Sequence, residues 1–187
     1  MNAAVANENV SVEAVNDNAA SKLNEANVIV RNYALGSIVP SLVPIPMLDL
    51  GLVTALQLKM LHSLANTYGV PFKEELGRSA IAALVGGTAA LSVARVMSSA
   101  VKAIPGVGSL VGAATMPIVN GGSTYAIGKL FIQHFASGGT FLTFDPSKVR
   151  DHFEKELAEG KAMIAAAQAS GEAKTAAAPD VAPKAKA

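Results

Sequence analysis

Apolar residues recur with the period of an α-helix in four regions of this sequence. The first region begins near Ser21, a suitable N-cap, and ends before Pro40, because proline removes a backbone donor and clashes with the preceding turn. The second runs from about Met47 to Tyr68 with one apolar and one polar face, and Gly69 is the residue type that commonly ends a helix. This second region is therefore predicted to be an amphipathic helix.

The third region, residues 79–136, is apolar nearly all round and is predicted to form a helical hairpin. Only Arg95 and Lys102 carry a fixed charge between Ser79 and Gly128. The turn signal Ile104-Pro105-Gly106-Val107-Gly108 divides the region into two apolar arms. An element with so few polar positions has to be buried, either in a protein core or in a bilayer.

The two arms differ in their small and helix-breaking residues. Small residues recur at every fourth position of the first arm, which places them on one stripe where helix backbones can approach closely: Gly86, Ala90, Ala94 and Ser98. The second arm, from about residue 110 to residue 136, contains Gly112, Pro117 and the pair Gly121-Gly122. These residues predict that the second arm is split into two helical pieces.

The last helical region, residues 146–168, has the clearest start signal in the chain. Asp145 is predicted to be the N-cap and Pro146 the first helical residue. Only residues 140–144 alternate as a strand does, and a single strand has no partner to pair with. The predicted fold class is all-α, a helical bundle around the apolar Gly- and Ala-rich hairpin.

The helical regions form one predicted domain, residues 20–168, between two tails. Residues 1–19 are rich in Asn, Ala and Glu without helical periodicity, and residues 169–187 are mostly Ala, Lys and Pro. Both tails are predicted to be disordered, because segments of such composition lack the apolar surface that would offset the entropy of ordering.

Composition narrows the possible functions. Charged residues make up 16% of the chain against about 25% in ordinary soluble domains, and the net charge of +1 gives no basis for nucleic-acid binding. The absence of cysteine excludes disulfides, thiolate metal sites and a cysteine nucleophile. The first basic residue is Lys22, so no secretory signal is predicted and both termini are expected in the cytoplasm.

Charges within and around the hairpin bear on whether it enters a membrane. Both arms reach the roughly 20 mostly apolar residues that a spanning helix needs. Arg95 lies inside the first arm, where an arginine at the bilayer centre costs about 2.5–3.5 kcal/mol. Basic residues such as Lys73 and Arg150 flank the hairpin and favour a membrane orientation with cytoplasmic ends, whereas Lys102 near the turn argues against it.

The entry into the second helix resembles a known bacterial family. Its pattern is Pro44-Ile-Pro46-Met-Leu-Asp49, followed by Gln57 and Met60, and the later Pro105-Gly106-Val-Gly108 with a Gly-rich arm that includes Gly112 is similar to the family's second half. This family of unknown function occurs in YcjF-type inner-membrane proteins and in the C-terminal regions of some Era-like GTPases. Over residues 26–136 the resemblance implies a helical, membrane-associated module linked to a GTPase in cis or in trans.

Asp49 and Arg95 are the charged candidates within otherwise apolar helices. Asp49 is expected in the first turn of its helix, where a carboxylate caps backbone amides or interacts favourably with the helix dipole. The alternative is a buried polar contact between Asp49 and Arg95, or between Asp49 and a partner. Arg95 is expected to be a paired or snorkelling structural residue. With them, Pro44, Pro46, Pro105, Gly106, Gly108 and Gly112 are the structural or interaction candidates.

No residue set predicts a reaction, so no catalytic, cofactor-binding or metal-binding residue is assigned. The segment Gly122 to Lys129 is similar to a phosphate-binding loop, but five residues separate its glycines where the motif has four, and Leu130 replaces the required Ser or Thr. The three histidines are far apart in the sequence and lack metal-ligand spacing: His62, His134 and His152.

The leading hypothesis is a non-enzymatic, membrane-associated helical protein that acts as a scaffold or interaction module. Its expected partners are membrane lipid and a protein or second copy, without nucleic acid, cofactor or small-molecule substrate. It is expected in the inner membrane with cytoplasmic termini, or peripherally at the cytoplasmic face. The alternatives are a soluble oligomeric adaptor that buries the hairpin and a switchable pore-forming protein.

Overall fold

The computed structural model describes residues 3–38, 48–97 and 107–171, with side-chain environments for residues 16–38, 51–87 and 116–171. These parts contain α1 (Ala3–Gly36), α2 (Leu48–Tyr68), α3 (Glu74–Met97), α4 (Val107–Ala136) and α5 (Arg150–Ala169). No strand occurs in them. The predicted all-α class is confirmed.

Helix α4 is central, because it contacts each of the other four helices. Val30 of α1 packs against Gly128 of α4, and the Ala34 carbonyl lies near Gly121, so α1 and α4 run antiparallel. Helix α5 is also antiparallel to α4, and α2 runs parallel to it. Apolar side chains from all five helices form the main core.

The predicted apolar face of α2 is largely confirmed. Its buried members are Val53, Leu56, Met60, Leu61 and Leu64, while Leu52 is 44% exposed. The predicted polar residues Lys59, His62 and Asn66 are exposed on the other side. Helix α2 ends at Tyr68 as predicted, and Gly69 has φ +69°, the left-handed conformation that favours glycine.

Helix α4 is continuous from Val107 to Ala136, so the prediction that its region is split near Pro117 or Gly121 is wrong. The glycines that suggested a break are contact points with neighbouring helices. A Cβ at Gly121 would lie 2.7 Å from Ile164, and a Cβ at Gly122 would lie 3.0 Å from the Lys161 backbone nitrogen. Packing against α1 and α5 therefore outweighs the low helix propensity of these residues.

The start of α1 differs from the sequence prediction. The helix begins at Ala3 rather than near Ser21. The predicted domain boundary at residue 19 stays a prediction. Residues 16–25 are all exposed, and the first buried position is Ala26. An exposed helical stretch such as residues 16–25 shows no amphipathic period, so the pattern did not locate it.

The start of α5 also differs, because Asp145 stabilises a separate turn and does not cap the helix. Its carboxylate accepts hydrogen bonds from the Ser147 backbone nitrogen at 3.0 Å and from Ser147 Oγ at 2.6 Å. Residues 146–149 form turns, and the helix begins at Arg150 with Val149 at the N-cap position and no side-chain cap. The predicted range 146–168 therefore becomes Arg150–Ala169.

The strand-like segment 140–144 forms turns around an aromatic cluster at the end of α4. The Phe131 ring stacks on Phe144 with a centroid distance of 4.4 Å and lies 5.3 Å from the ring of Phe141. His134 Nε2 lies 2.9 Å from the Thr140 carbonyl oxygen, which can accept a hydrogen bond from the ring. The alternation in this segment thus reflects loop side chains that alternately enter the core and face solvent.

Gly160→Ala is expected to destabilise the fold by about 1–3 kcal/mol, the usual cost of overpacking. Its Cβ would lie 2.8 Å from the Gly122 carbonyl oxygen and 2.9 Å from Tyr125 Cβ. The control is Gly51→Ala in α2, where no atom lies within 4 Å and removal of a flexible residue stabilises by about 0.4–1 kcal/mol. Thermal unfolding of both variants tests the prediction, and equal stability of the two would contradict close α4–α5 packing.

Hydrogen bonds from Ser147 lower the pKa of Asp145, with a smaller contribution from Lys148. A lowered pKa in the folded state means that this interaction stabilises the protein above the unfolded-state pKa and is lost as the pH falls through the folded-state pKa. Ser147→Ala is expected to raise the pKa of Asp145, measured by carboxyl NMR titration, more than Lys148→Gln does. An unchanged pKa in Ser147→Ala would exclude the hydrogen bond from Ser147 Oγ to Asp145.

Candidate functional site

A cavity of about 200 Å³ lies between α2, α3 and α4. Its lining combines apolar and polar side chains from all three helices: Val53, Thr54, Gln57, Arg78, Ile81, Ala82, Val85, Gly86, Asn120 and Ser123. We refer to this region as the hairpin base. It joins the core of the body to the two arms that the sequence analysis assigned to a membrane or a protein interior.

A polar network forms the inner wall of the hairpin base. Gln57 is only 2% exposed, and its Nε2 donates to Thr124 Oγ1 at 3.2 Å and to Ser123 Oγ at 3.4 Å. Both hydroxyls donate in turn to the Asn120 carbonyl oxygen at 2.9 Å. Because a buried amide is costly without hydrogen bonds, this network fixes α2 against α4 at one register.

Arg78 stands at the edge of the same cavity and is already paired. Its Nη2 lies 2.8 Å from Glu74 Oε1, one turn earlier in α3. Both side chains are more than half exposed, so the pair contributes little to stability. The cavity therefore has one cationic side chain at its rim and neutral hydrogen-bonding groups inside.

Exposed apolar side chains occur on all three helices of the hairpin base. Val85 of α3 is 37% exposed, and Met116 and Val119 of α4 are 54% and 41% exposed. Leu52 of α2 is 44% exposed. Large apolar side chains exposed on a protein surface mark contact with a membrane or a partner where they form a continuous patch.

The described helices do not themselves qualify as membrane spans. Within residues 3–38, 48–97 and 107–171, none combines the length and the hydropathy required to cross a bilayer.

Half of the residues selected from the sequence lie outside the described residues: Pro44, Pro46, Pro105 and Gly106. The other four lie on described helices, but their side chains are outside the described part: Asp49, Arg95, Gly108 and Gly112. Asp49 is the second residue of α2, and Arg95 is close to the last residue of α3. The expected roles of all eight, including contact between Asp49 and Arg95, stay predictions.

A second polar group lies on α5 facing α4. Glu156 is 5% exposed, its Oε1 lies 3.4 Å from His152 Nε2, and its Oε2 has no hydrogen-bond partner among the described residues. Burial, together with Glu156 and Glu159, raises the pKa of Tyr125 on α4. Within the described residues, no three His, Asp or Glu side chains come together as a metal site.

The comparisons with known proteins identify the family. The family described as Domain of unknown function (DUF697) matches residues 7–162. This chain belongs to the DUF697 family. It is 36% identical over 149 residues to magnetosome membrane protein 22 of Magnetospirillum gryphiswaldense, an alignment that covers 79% of this chain and 76% of the relative. No solved structure matches the chain.

Gln57 is the residue of the hairpin base that sequence reasoning undervalued. Gln57 belongs to the family resemblance, but the sequence pattern does not predict that it is the centre of a polar network. The sequence feature that indicates a buried Gln57 is its position within the apolar face of α2, between Leu56 and Met60. A polar residue inside an apolar stripe requires a buried hydrogen-bond partner, but the sequence does not say that Ser123 and Thr124 supply it.

Gln57→Leu is expected to destabilise the protein by about 1–2 kcal/mol, because the α2–α4 hydrogen bonds are lost while the apolar volume is retained. Gln133→Leu, at an exposed position of α4, is the matched control and should change stability by less than about 0.5 kcal/mol. Denaturant unfolding measures both. In a combined Gln57→Leu and Thr124→Val variant, the loss in free energy of unfolding should be smaller than the sum of the losses in the two single variants. Strictly additive losses would argue against the network.

Proposed function

We propose that this DUF697 protein is a non-enzymatic, membrane-associated helical module in which the arms of hairpin 79–136 contact the bilayer beyond the hairpin base. The buried part of α4 from Gly121 onward and the remaining helices form the body, which carries an interaction surface. The observation that carries the proposal is the 36% identity to a protein named for a membrane, over 79% of the chain. Similarity over that length includes the hairpin together with the helical body.

The exposed side chains of the hairpin base support membrane contact. Val85, Met116 and Val119 are large, exposed apolar residues within the two arms, which are almost free of charge in the sequence. Contact of these side chains with a bilayer would remove their apolar surface from water, which is favourable by about 25 cal/mol for each Å².

The body has the properties of an interaction module. Helix α5 presents charged residues such as Asp151, Lys155 and Glu159 to solvent while Phe153 and Ile164 pack into the fold. Such a surface suits a reversible contact with a protein partner. Family resemblance to modules joined to Era-like GTPases favours a GTPase acting in trans as that partner, with a second copy of the chain as the other candidate.

Environment-sensitive labelling can test membrane contact at single positions, because the chain contains no cysteine. Met116→Cys and Ala158→Cys are each labelled with a nitrobenzoxadiazole dye and mixed with phospholipid vesicles. We expect a blue shift and increased emission at position 116 at the hairpin base, and no change at position 158, which is exposed on α5.

Fractionation of expressing cells gives an independent measurement of the same proposal. Retention on membranes after an alkaline carbonate wash, with release by detergent, is the expected result. The proposal would be overturned in favour of the soluble adaptor if the protein is recovered as a defined soluble oligomer and the emission of the dye at position 116 is the same with and without vesicles. Leakage of vesicle contents on addition of the protein would instead favour the pore-forming alternative.

A further inference from the structure

Basic residues lie on both sides of the apolar stretch 79–128 in the sequence, and the fold gives them different surroundings: Lys73, Arg78, Lys129, Lys148 and Arg150. Three of them have a polar partner within the body. Arg78 pairs with Glu74 at 2.8 Å. Lys129 Nζ donates a hydrogen bond to Asn27 Oδ1 at 3.0 Å. Lys148 Nζ lies 3.6 Å from Asp145 Oδ2.

Lys73 lies at the start of α3, away from the hairpin base. It borders a cavity of about 100 Å³ together with Phe141 and Leu142 of the loop that follows α4. Gly87 comes fourteen residues later in the sequence. At about 1.5 Å per helical residue, roughly 21 Å of α3 separates the two positions.

Arg150 is the basic residue that the fold brings to the hairpin base. It is exposed in the first turn of α5, and its guanidinium lies against Gly87 of α3. A Cβ added at Gly87 would lie 3.1 Å from Nη2 and 3.5 Å from Cζ of the arginine. Gly87 directly follows Val85 and Gly86, which line the cavity of the hairpin base. The missing side chain at position 87 therefore leaves the space that the guanidinium occupies.

Arg150 has no polar partner among the described residues. None of the ion pairs or hydrogen bonds formed within residues 16–38, 51–87 and 116–171 includes it. A guanidinium presents five N–H donors in a planar fork that matches the oxygens of a phosphate group. The hairpin base thus presents a cation to an anion from outside the chain.

The guanidinium of Arg150 lies where the arms become apolar. At the level of Gly87 the exposed side chains include Val85 of α3 and Val119 of α4, the residue before a lining residue of the cavity. Farther along the described arms, in residues 88–97 and 107–115, Arg95 is the only charged residue of the sequence. A cation at such a boundary lies at the depth of the lipid headgroups when the arms contact a bilayer.

The position of Arg150 points to a lipid headgroup as its anionic partner. Because the arms next to it are proposed to contact the bilayer, the anion that meets the guanidinium belongs to the same surface. Phosphatidylcholine carries a positive charge beside its phosphate, whereas phosphatidylglycerol has a net negative charge. A basic residue near an anionic membrane surface strengthens binding roughly fivefold.

We propose that Arg150, held against Gly87 at the hairpin base, binds the headgroups of anionic phospholipids and gives the protein a preference for anionic membranes. This inference rests on the proposed function, because it requires that the arms contact the bilayer. It adds the class of lipid and the residue that selects it.

The lipid preference is measured on the full-length chain with the dye at position 116. The protein is placed in vesicles of phosphatidylcholine and phosphatidylglycerol in equal amounts, by reconstitution if it fractionates with membranes and by addition if it is soluble. A small part of one lipid or the other is replaced by its nitroxide-labelled form, which quenches only a nearby dye. We expect the relative affinity obtained from quenching to favour phosphatidylglycerol roughly fivefold at low salt and less at high salt, because ions screen the contact.

Arg150→Gln and Lys73→Gln remove the same charge at two different positions. Arg150→Gln is expected to bring the relative affinity for the two lipids close to equality. Lys73→Gln, at the far end of α3, should leave the preference unchanged. Arg150→Lys keeps the charge and should keep most of the preference. Circular dichroism and thermal unfolding verify that each variant is folded.

Two glycine variants separate the position of the guanidinium from its charge. Gly87→Leu places a side chain where the guanidinium lies, so the preference for phosphatidylglycerol should fall although Arg150 is present. Gly86→Leu adds the same side chain one residue earlier, where no atom lies within 4 Å of an added Cβ, and should retain the preference.

Equal quenching by the two labelled lipids in the unsubstituted chain would overturn this inference while membrane contact stands, and would assign Arg150 to an acidic segment of a protein partner. An equal loss of preference in Arg150→Gln and Lys73→Gln would also overturn it, because net charge alone would then explain the result. If neither labelled lipid quenches the dye, the proposed membrane contact is wrong and this inference fails with it.

Discussion

The close approach of α4 to α1 and α5 through glycine is the contact on which the remainder of the fold depends. Gly128 admits Val30 of α1, and Gly122 admits Lys161 of α5 together with the carbonyl contact to Gly160. At Gly122 the backbones of α4 and α5 themselves come close, and at Gly128 the Val30 side chain fills the space that a Cβ would occupy. Dispersion contacts of this kind compensate for the low helix propensity of glycine. A break in α4 would interrupt both interfaces, which explains why the helix is continuous through residues that ordinarily end one.

Continuity of α4 connects the two ends of the molecule. The same helix carries the aromatic cluster at Phe131 and Phe135, the polar network at Ser123 and Thr124, and the beginning of an apolar arm of the hairpin. Gln57 fixes the position of α2 relative to this helix. A protein partner that binds the helical body would therefore contact elements continuous with the part proposed to meet the bilayer, as a membrane-associated interaction module requires.

Individual elements show where sequence reasoning succeeded and where it did not. Helix α2 was located within one residue at each end, because a strong apolar stripe, a flanking proline and a terminal glycine all indicated the same boundaries. For α5, Asp145 and Pro146 also gave a strong start signal, but the carboxylate bonds Ser147 and the helix begins one turn later. The resemblance to a bacterial family of unknown function is confirmed by the DUF697 match. Of the residues that carried the resemblance, Gln57 and Met60 are buried in α2, while Pro44, Pro46 and Asp49 have no described side-chain environment.

The sequence by itself determined the all-α class and the apolar character of residues 79–128, because periodicity and composition are properties of consecutive residues. Only the tertiary structure decided that the α4 glycines are contact points, that Gln57 lies against Thr124, and that Arg150 lies against Gly87. Each of these depends on residues brought together from distant parts of the chain. Local pattern carries no information on such pairings, since it records which face of a helix is apolar but not which helix covers it.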